Sequence, residues 1–302
     1  MKKLLIIFPI IAGAMWGSAG VFVRFLSEAG MDSITILLTR TLVASLILFV
    51  GLLFYNKELL KIKLSHLPVF LASGLAGTLG LNLCYNAAIE TVTLSMEAVL
   101  LSLSPVFVVI LAGIFFHEKV TGKEIVYMIL ALIGSALASG IMDQALGAIS
   151  VRGVLFGLGS AFCYAIYSMY SKKAMDLGYD SFTITFYNLF LIAVVIFPFS
   201  DLGMIGQYVK DAPGGNTVFL LIHALFTAVL PYLIFTFALS GIPAGKVSIL
   251  SAGSEPAAAA IAGMIFFGEK ITVSIAIGMV VTVTALSLLC MQSEKESQKG
   301  GE

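Results

Sequence analysis

Apolar runs long enough to cross a lipid bilayer recur along almost the whole chain, and that recurrence leaves few folds open. A helix needs about 20 mostly apolar residues to span the hydrocarbon core. Such runs fall near 4–26, 34–55, 68–89, 94–116, 124–141, 153–171, 180–199, 217–239, 245–267 and 272–291, and short connections hold most of the charge. Of 302 residues, 59% are hydrophobic and 11% charged, whereas a soluble domain carries roughly a quarter charged residues. So little polar material cannot cover a water-facing surface, and the expected solvent is lipid. The runs are too long for barrel strands and lack their alternation. The expected fold class is an all-α membrane protein with ten transmembrane helices.

Lysine and arginine set the orientation of such a chain. With the N-terminus in the cytoplasm, the inner segments hold twelve of them, from Lys2 and Lys3 to Lys295 and Lys299, and the outer segments hold four: Arg24, Arg152, Lys210 and Lys270. This imbalance favours a multi-pass protein of the cell membrane with both termini cytoplasmic and a polar cytoplasmic tail at 292–302. Lys2 and Lys3 followed by LLIIFPIIAGA could also open a secretory signal peptide. The apolar stretch continues to about Ser27 and has a counterpart in mid-chain, so a retained first helix is expected.

That counterpart belongs to an internal repeat, the kind of signal to be sought early in any sequence. Shifting by 148 lays Trp16 over Tyr164, Gly30 over Gly178, Asp32 over Asp180, Ser33 over Ser181 and Thr35 over Thr183. Shifting by 151 lays PVFVVILAGIFFHEKVT, from Pro105, over PAAAAIAGMIFFGEKIT, from Pro256. The repeats expected are 1–141 and 152–291, five spans each. An odd number of spans forces the second repeat to enter the bilayer from the opposite face. Inverted repeats of this kind place a substrate site near mid-membrane between the halves.

Charge inside a membrane is costly, so each instance is a functional suspect. Glu255 lies near the middle of the ninth span, Arg40 in the outer part of the second and Glu97 near the outer end of the fourth. Residues seven apart share a helix face, which joins Glu97 to Ser104 and Ser248 to Glu255, with Ser251 extending the second stripe. Under the shift of 151 the carboxylate and the hydroxyl exchange places. Glu255 could bind a substrate amine or carry a coupling proton, because a carboxyl withdrawn from water holds its proton more readily. It could instead pair structurally with Arg40 or Asn82. Arg40 could snorkel, pair with Glu97 or Asp32, or, facing a cavity, bind a substrate carboxylate. Trp16, Asn82, Tyr85, Tyr164 and Tyr187, with Tyr232 and Asn188, offer rings and polar tips suited to amphipathic metabolites, or to interhelix packing. Pro105 and Pro256 remove backbone hydrogen bonds at matched depths and are expected to break or bend their helices. Gly13 with Gly17, Gly153 with Gly157, and Gly74, Gly77 and Gly80 mark close helix contacts. Glu118–Lys119 and Glu269–Lys270 cap span ends or gate them.

No catalytic group, metal site or cofactor is expected. Cys84, Cys163 and Cys290 sit in apolar runs as small hydrophobes, and the three histidines are scattered in sequence. GIPAGKV at 241–247 is one residue short of a phosphate loop and lacks its Ser or Thr. Zero net charge argues against a nucleic-acid partner. The expected partners are the lipid bilayer and a small-molecule substrate; a coupling proton and a homodimer stay open.

MWGSAGVFVR at 15–24, LSP followed by FFHEKVT in the fourth span, and SEPAAAAIAGMIFFGEKIT at 254–272 resemble the drug/metabolite transporter superfamily, EamA type. The resemblance covers about 4–291. It implies a ten-helix fold and alternating-access movement of small metabolites such as amino acids, amines or drugs, often outward. The competing functions are a channel and an intramembrane enzyme acting on lipid-linked substrates. The enzyme lacks a catalytic constellation, with no HExxH, GxSxG or paired intramembrane aspartates.

Overall fold

The computed structural model describes residues 2–89, 91, 97, 100–116, 121–138, 150–268, 272–274, 276–285 and 288. These residues form helices and no strand. In chain order they are α1 (Lys2–Glu28), α2 (Ser33–Tyr55), α3 (Leu67–Leu71), α4 (Gly80–Ile89), α5 (Ser104–Phe116), α6 (Gly122–Ala138), α7 (Val151–Asp176), α8 (Ser181–Ile196), α9 (Leu202–Asp211), α10 (Pro213–Ala224), α11 (Leu230–Ala238), α12 (Ala244–Phe267) and α13 (Ala276–Ala285). π-helical turns, Ala72–Leu79 and Leu225–Val229, fuse α3 to α4 and α10 to α11. Among the described residues seven helical stretches are long and apolar enough to cross a membrane; Ile125–Gly134 and Ala276–Ala285 are shorter apolar helices. The pairs Glu118–Lys119 and Glu269–Lys270, His117, Cys290 and the tail at 292–302 lie outside the described residues.

The distribution of side chains is that of a protein dissolved in lipid. Phe54, Leu155, Ile265 and Val280 stand exposed on the outside, while Thr35, Thr39, Thr41, Ser45, Ser160 and Ser168 are buried. The buried hydroxyls of α2 are tied back to their own helix: Thr39 Oγ1 donates to Ile36 O (2.7 Å), Thr41 Oγ1 to Leu37 O (2.8 Å) and Ser45 Oγ to Leu42 O (2.8 Å). A hydroxyl bonded this way can lie inside a bundle without an unmet donor.

The connections follow from local chemistry. α1 ends at Gly30, whose φ of 94° is open to glycine at no steric cost, with Gly30 N donating to Ser27 O and Met31 N to Leu26 O. This closes the last turn in a Schellman motif. Asp32 then caps α2, accepting from Ile34 N (2.9 Å) and Thr35 N (3.1 Å). The same device ends α7 and starts α8: Gly178 has φ 88°, and Asp180 accepts from Phe182 N (2.8 Å). The turn matched by the shift of 148 is thus matched in geometry.

Packing across the chain comes in pairs. α1 packs on α12 and on α11; α7 packs on α5 and on α4. α2 packs on α8, and α5 on α12. The connectors are strapped in the same manner. Thr183 Oγ1 donates to Leu59 O (2.7 Å), and Asp201 N donates to Thr35 Oγ1 (3.0 Å). Gly13 and Gly17 make the α1–α12 contact: a Cβ on Gly13 would strike the Ser251 carbonyl, and one on Gly17 the Glu255 carbonyl. Gly74 and Gly77 likewise bring their helix against Asn188 and Tyr167, Gly80 approaches Cys163, and Gly157 lies against Glu97 and Leu100.

Two differences from the sequence reading lie in the helices themselves. The connection after the seventh span carries a helix, α9, capped by Asp201, which accepts from Met204 N (3.0 Å). The two prolines also differ. A turn at Ser102–Leu103 precedes Pro105 at the second position of α5, but Pro256 does not interrupt α12. α1 lies directly along α12 here, and Ser254 Oγ donates to Ile10 O (3.0 Å) across the contact, so the neighbouring helix supports the stretch that the proline would open.

Candidate functional site

Five rings meet inside the bundle because pairs one turn apart on two helices pack on each other and on Trp16. Tyr164 and Tyr167 come from α7, Tyr232 and Phe235 from α11. Trp16 of α1 sits edge-on to Tyr232 (5.0 Å between centroids) and to Tyr164 (6.4 Å), and 5.4 Å from Phe235. Tyr167 closes the ring against Tyr232 at 5.4 Å. Such edge-to-face contacts between rings are favourable. The match of Trp16 with Tyr164 under the repeat therefore becomes a contact between the two halves.

α12 brings polar groups against these rings. Ser248 and Ser251 are fully buried and lie beside the Tyr164 hydroxyl, and none of the three hydroxyls has a hydrogen bond of good geometry among the described residues. Glu255 follows Ser251 by one turn, and its carboxylate acts on Tyr85, Tyr164 and Tyr232. It has no hydrogen-bond or ion-pair partner among the described residues. Arg40 of α2 lies within electrostatic reach of Tyr232. Its Nη2 donates to Asn82 Oδ1 (2.9 Å), and Asn82 Nδ2 donates to Thr78 O (2.7 Å) in the first π turn. π winding frees carbonyls from the regular ladder, and this one fixes the amide that orients the guanidinium. Among the described residues Arg40 meets no carboxylate. The expected pairings of Arg40 with Glu97 or Asp32, and of Glu255 with Arg40 or Asn82, are replaced by Arg40–Asn82. Asp32 is spent on capping its own helix, and Glu97 belongs to a separate cluster.

In that cluster, Glu97, ahead of α5 in the chain, is buried against α7. Its Oε1 accepts from Ser160 Oγ (2.7 Å), and its Oε2 lies against Gly157 with no partner. Tyr85 of α4 is within electrostatic reach of both Glu97 and Glu255. Ser104 is buried at the start of α5. Tyr187 stands apart: its hydroxyl donates to Leu60 O (2.7 Å), and its ring packs on Phe70 (5.3 Å) and Phe186 (5.1 Å). It fastens the 57–63 connection to α8, and among the described residues its ring contacts are with Phe70 and Phe186 and not with Trp16, Tyr164 or Tyr232. Cys84 and Cys163, read as separate small hydrophobes, face each other across α4 and α7. A narrow gap lined by Ser102, Pro105, Ala252 and Gly253 separates α5 from α12 and bears no charge.

Sequence reasoning missed His223. It lies in α10, fully buried, stacked on Phe22 of α1 (5.5 Å, 17°), within electrostatic reach of Arg40. Its available signal was its position as an ionisable residue deep in an apolar run.

Lipid-length helices, an apolar exterior and a polar, charged interior define a multi-pass membrane protein. The chain belongs to the EamA-like transporter family, whose model matches residues 3–140 and again 151–291. It is similar to an uncharacterized transporter of Archaeoglobus fulgidus, at 26% identity over 285 residues, covering 90% of this chain and 92% of the relative. It is also similar to the threonine/homoserine exporter RhtA of Escherichia coli, at 28% identity over 222 residues, covering 72% and 70%. A solved crystal structure shares the fold with a TM-score of 0.77 at 14% identity, covering 98% of this chain and 99% of that one.

Proposed function

We propose that this chain is a secondary carrier of the cell membrane that exports small zwitterionic solutes of the amino-acid class by alternating access. One observation carries this reading. Arg40 and Glu255 are opposite charges withdrawn into one bundle, neither has a charged partner among the described residues, and Tyr232 lies within the field of both. An uncompensated buried charge is strongly unfavourable, and a solute with a carboxylate at one end and an amine at the other compensates both at once. Trp16, Tyr164 and Tyr232 then cover the solute's apolar part. The relative RhtA is by name a threonine/homoserine exporter, which supports both the substrate class and the direction.

The carrier is read as ten spans in two inverted repeats, 1–141 and 152–291. The matched glycine–aspartate turns, the π turns at Ala72–Leu79 and Leu225–Val229, which correspond under the shift of 151, and the paired packing of α1 on α12 and α7 on α5 support that symmetry. The excess of twelve over four basic residues supports cytoplasmic termini. Glu255 is the group able to exchange a coupling proton for the substrate amine.

The test is counter-flow in proteoliposomes across a panel of amino acids, with the matching carboxamides and amines as controls. Saturable, trans-stimulated flux of amino acids, abolished in Arg40→Leu and in Glu255→Gln, is the expected result. Flux without trans-stimulation indicates a channel, and absence of saturable amino-acid flux overturns the proposal.

A further inference from the structure

We propose that His223 is a second ligand for the substrate carboxylate, acting beside Arg40, and that the two together make the carrier select carboxylate-bearing solutes. This rests on the functional reading above and deepens it.

His223 is fully buried, and neither Nδ1 nor Nε2 has a hydrogen-bond partner among the described residues. Buried polar groups in membrane proteins are normally satisfied by protein or by what occupies a cavity. A ring kept only for packing on Phe22 would be better as phenylalanine. Stacking at 5.5 Å and 17° covers one face of the imidazole and leaves both nitrogens on its rim. Its backbone carbonyl accepts from Thr227 Oγ1 (2.7 Å), which fixes the entry to the second π turn. α10 packs against α2, which bears Arg40, and Arg40 is the charged group that acts on the ring.

Arg40 does not exhaust what a carboxylate can accept. One of its five N–H donors is committed to Asn82, which orients the guanidinium, while the two oxygens of a carboxylate offer about four acceptor sites. A neutral imidazole keeps one N–H in either tautomer, so His223 can donate to an acceptor site that the guanidinium leaves unfilled. The pair is also no by-product of the repeat. The shift of 148 lays Asn188 on Arg40, and the shift of 151 lays Ala72 on His223. Asn188 Nδ2 donates to Ser73 Oγ (2.9 Å), a neutral contact. One half thus has hydrogen-bonded packing where the other carries a cation and an unpartnered imidazole, and Arg40 and His223 lie toward the same end of the bundle, where α1 turns into α2.

The experiment measures KM and Vmax in proteoliposomes for the amino acid with the strongest wild-type flux and for its carboxamide. His223→Phe and His223→Gln are compared with wild type. Loss of one charge-assisted hydrogen bond corresponds to about a 10- to 100-fold rise in KM. His223→Phe is expected to show that rise for the amino acid with little change in Vmax, to lose discrimination against the carboxamide, and to be partly rescued in His223→Gln. An unchanged KM, or an equal change for acid and amide, overturns the assignment. Should the variants fail to fold, wild-type protein labelled with ¹⁵N-histidine decides. The chain has three histidines, His66, His117 and His223, and saturating amino acid must shift the His223 ring nitrogens; no shift overturns it. Absence of saturable amino-acid flux in wild type would instead remove the functional reading itself.

Discussion

Gly17→Ala is the sharpest test of the α1–α12 contact on which the site is built. A Cβ at Gly17 would collide with the Glu255 carbonyl oxygen and come within 2.9 Å of its carbon and 3.1 Å of Ala259 N. All three are backbone atoms, so no rotamer change relieves the clash and the two helices must part. Overpacking of this kind costs about 1–3 kcal/mol. At Gly20, one turn further along the same helix, an added methyl would meet nothing within 4 Å. Alanine in place of glycine gains helix propensity of up to about 1 kcal/mol at either site. That gain cancels between the two variants, so Gly17→Ala should be the less stable by about 1–3 kcal/mol, the steric contribution alone. The measurement is reversible unfolding of purified protein in mixed micelles, both variants beside wild type. Transport should fall in Gly17→Ala and persist in Gly20→Ala, because the displaced carbonyl belongs to Glu255. Equal unfolding midpoints for the two variants would refute the close contact.

Tyr187→Phe should lose about 1 kcal/mol of stability with its hydrogen bond to Leu60 O and leave transport KM unchanged; a raised KM would return Tyr187 to the site. Asn82→Leu strips Arg40 of its described acceptor and should reduce flux about tenfold or more, as expected when a buried charge loses its partner; unaltered flux would mean that Arg40 is oriented by something else. At the Asp32 carboxyl, burial acts upward, but hydrogen bonds from Thr35 and Ile34 outweigh it and hold the group below its ordinary 3.8. Its contribution is therefore complete above the unfolded value and lost as pH falls through the lower folded value. Asp32→Ala should cost about 1 kcal/mol at neutral pH. Asp32→Asn should keep the cap and flatten the stability profile below pH 3.8; a profile as steep as wild type would contradict the assignment.

How far the molecule can be read from its sequence depends on whether a feature is local. The Gly30–Asp32 turn and its copy at Gly178–Asp180 are legible because a left-handed glycine and a capping carboxylate act within four residues. The seven lipid-length helical stretches among the described residues are legible because hydrocarbon thickness sets their length. The π turns are not, since one extra residue per turn leaves the apolar composition of a span unchanged. The site is harder for a related reason. Depth in the membrane follows from counting along a helix, but rotation about the helix axis is set by neighbours far away in sequence. Counting gives Arg40 an expected depth, and depth alone made Glu97 and Asp32 plausible partners. Rotation delivers it instead to Asn82, 42 positions on. The same freedom brings Tyr187 to Leu60 and turns His223, surrounded by apolar letters in the chain, inward toward Arg40. Intramembrane polarity thus marks which residues need a partner, and only helix packing decides who the partner is. Arg40, Glu255, His223 and Glu97 are groups for which that packing provides no counter-charge among the described residues, and the function is argued from the first three.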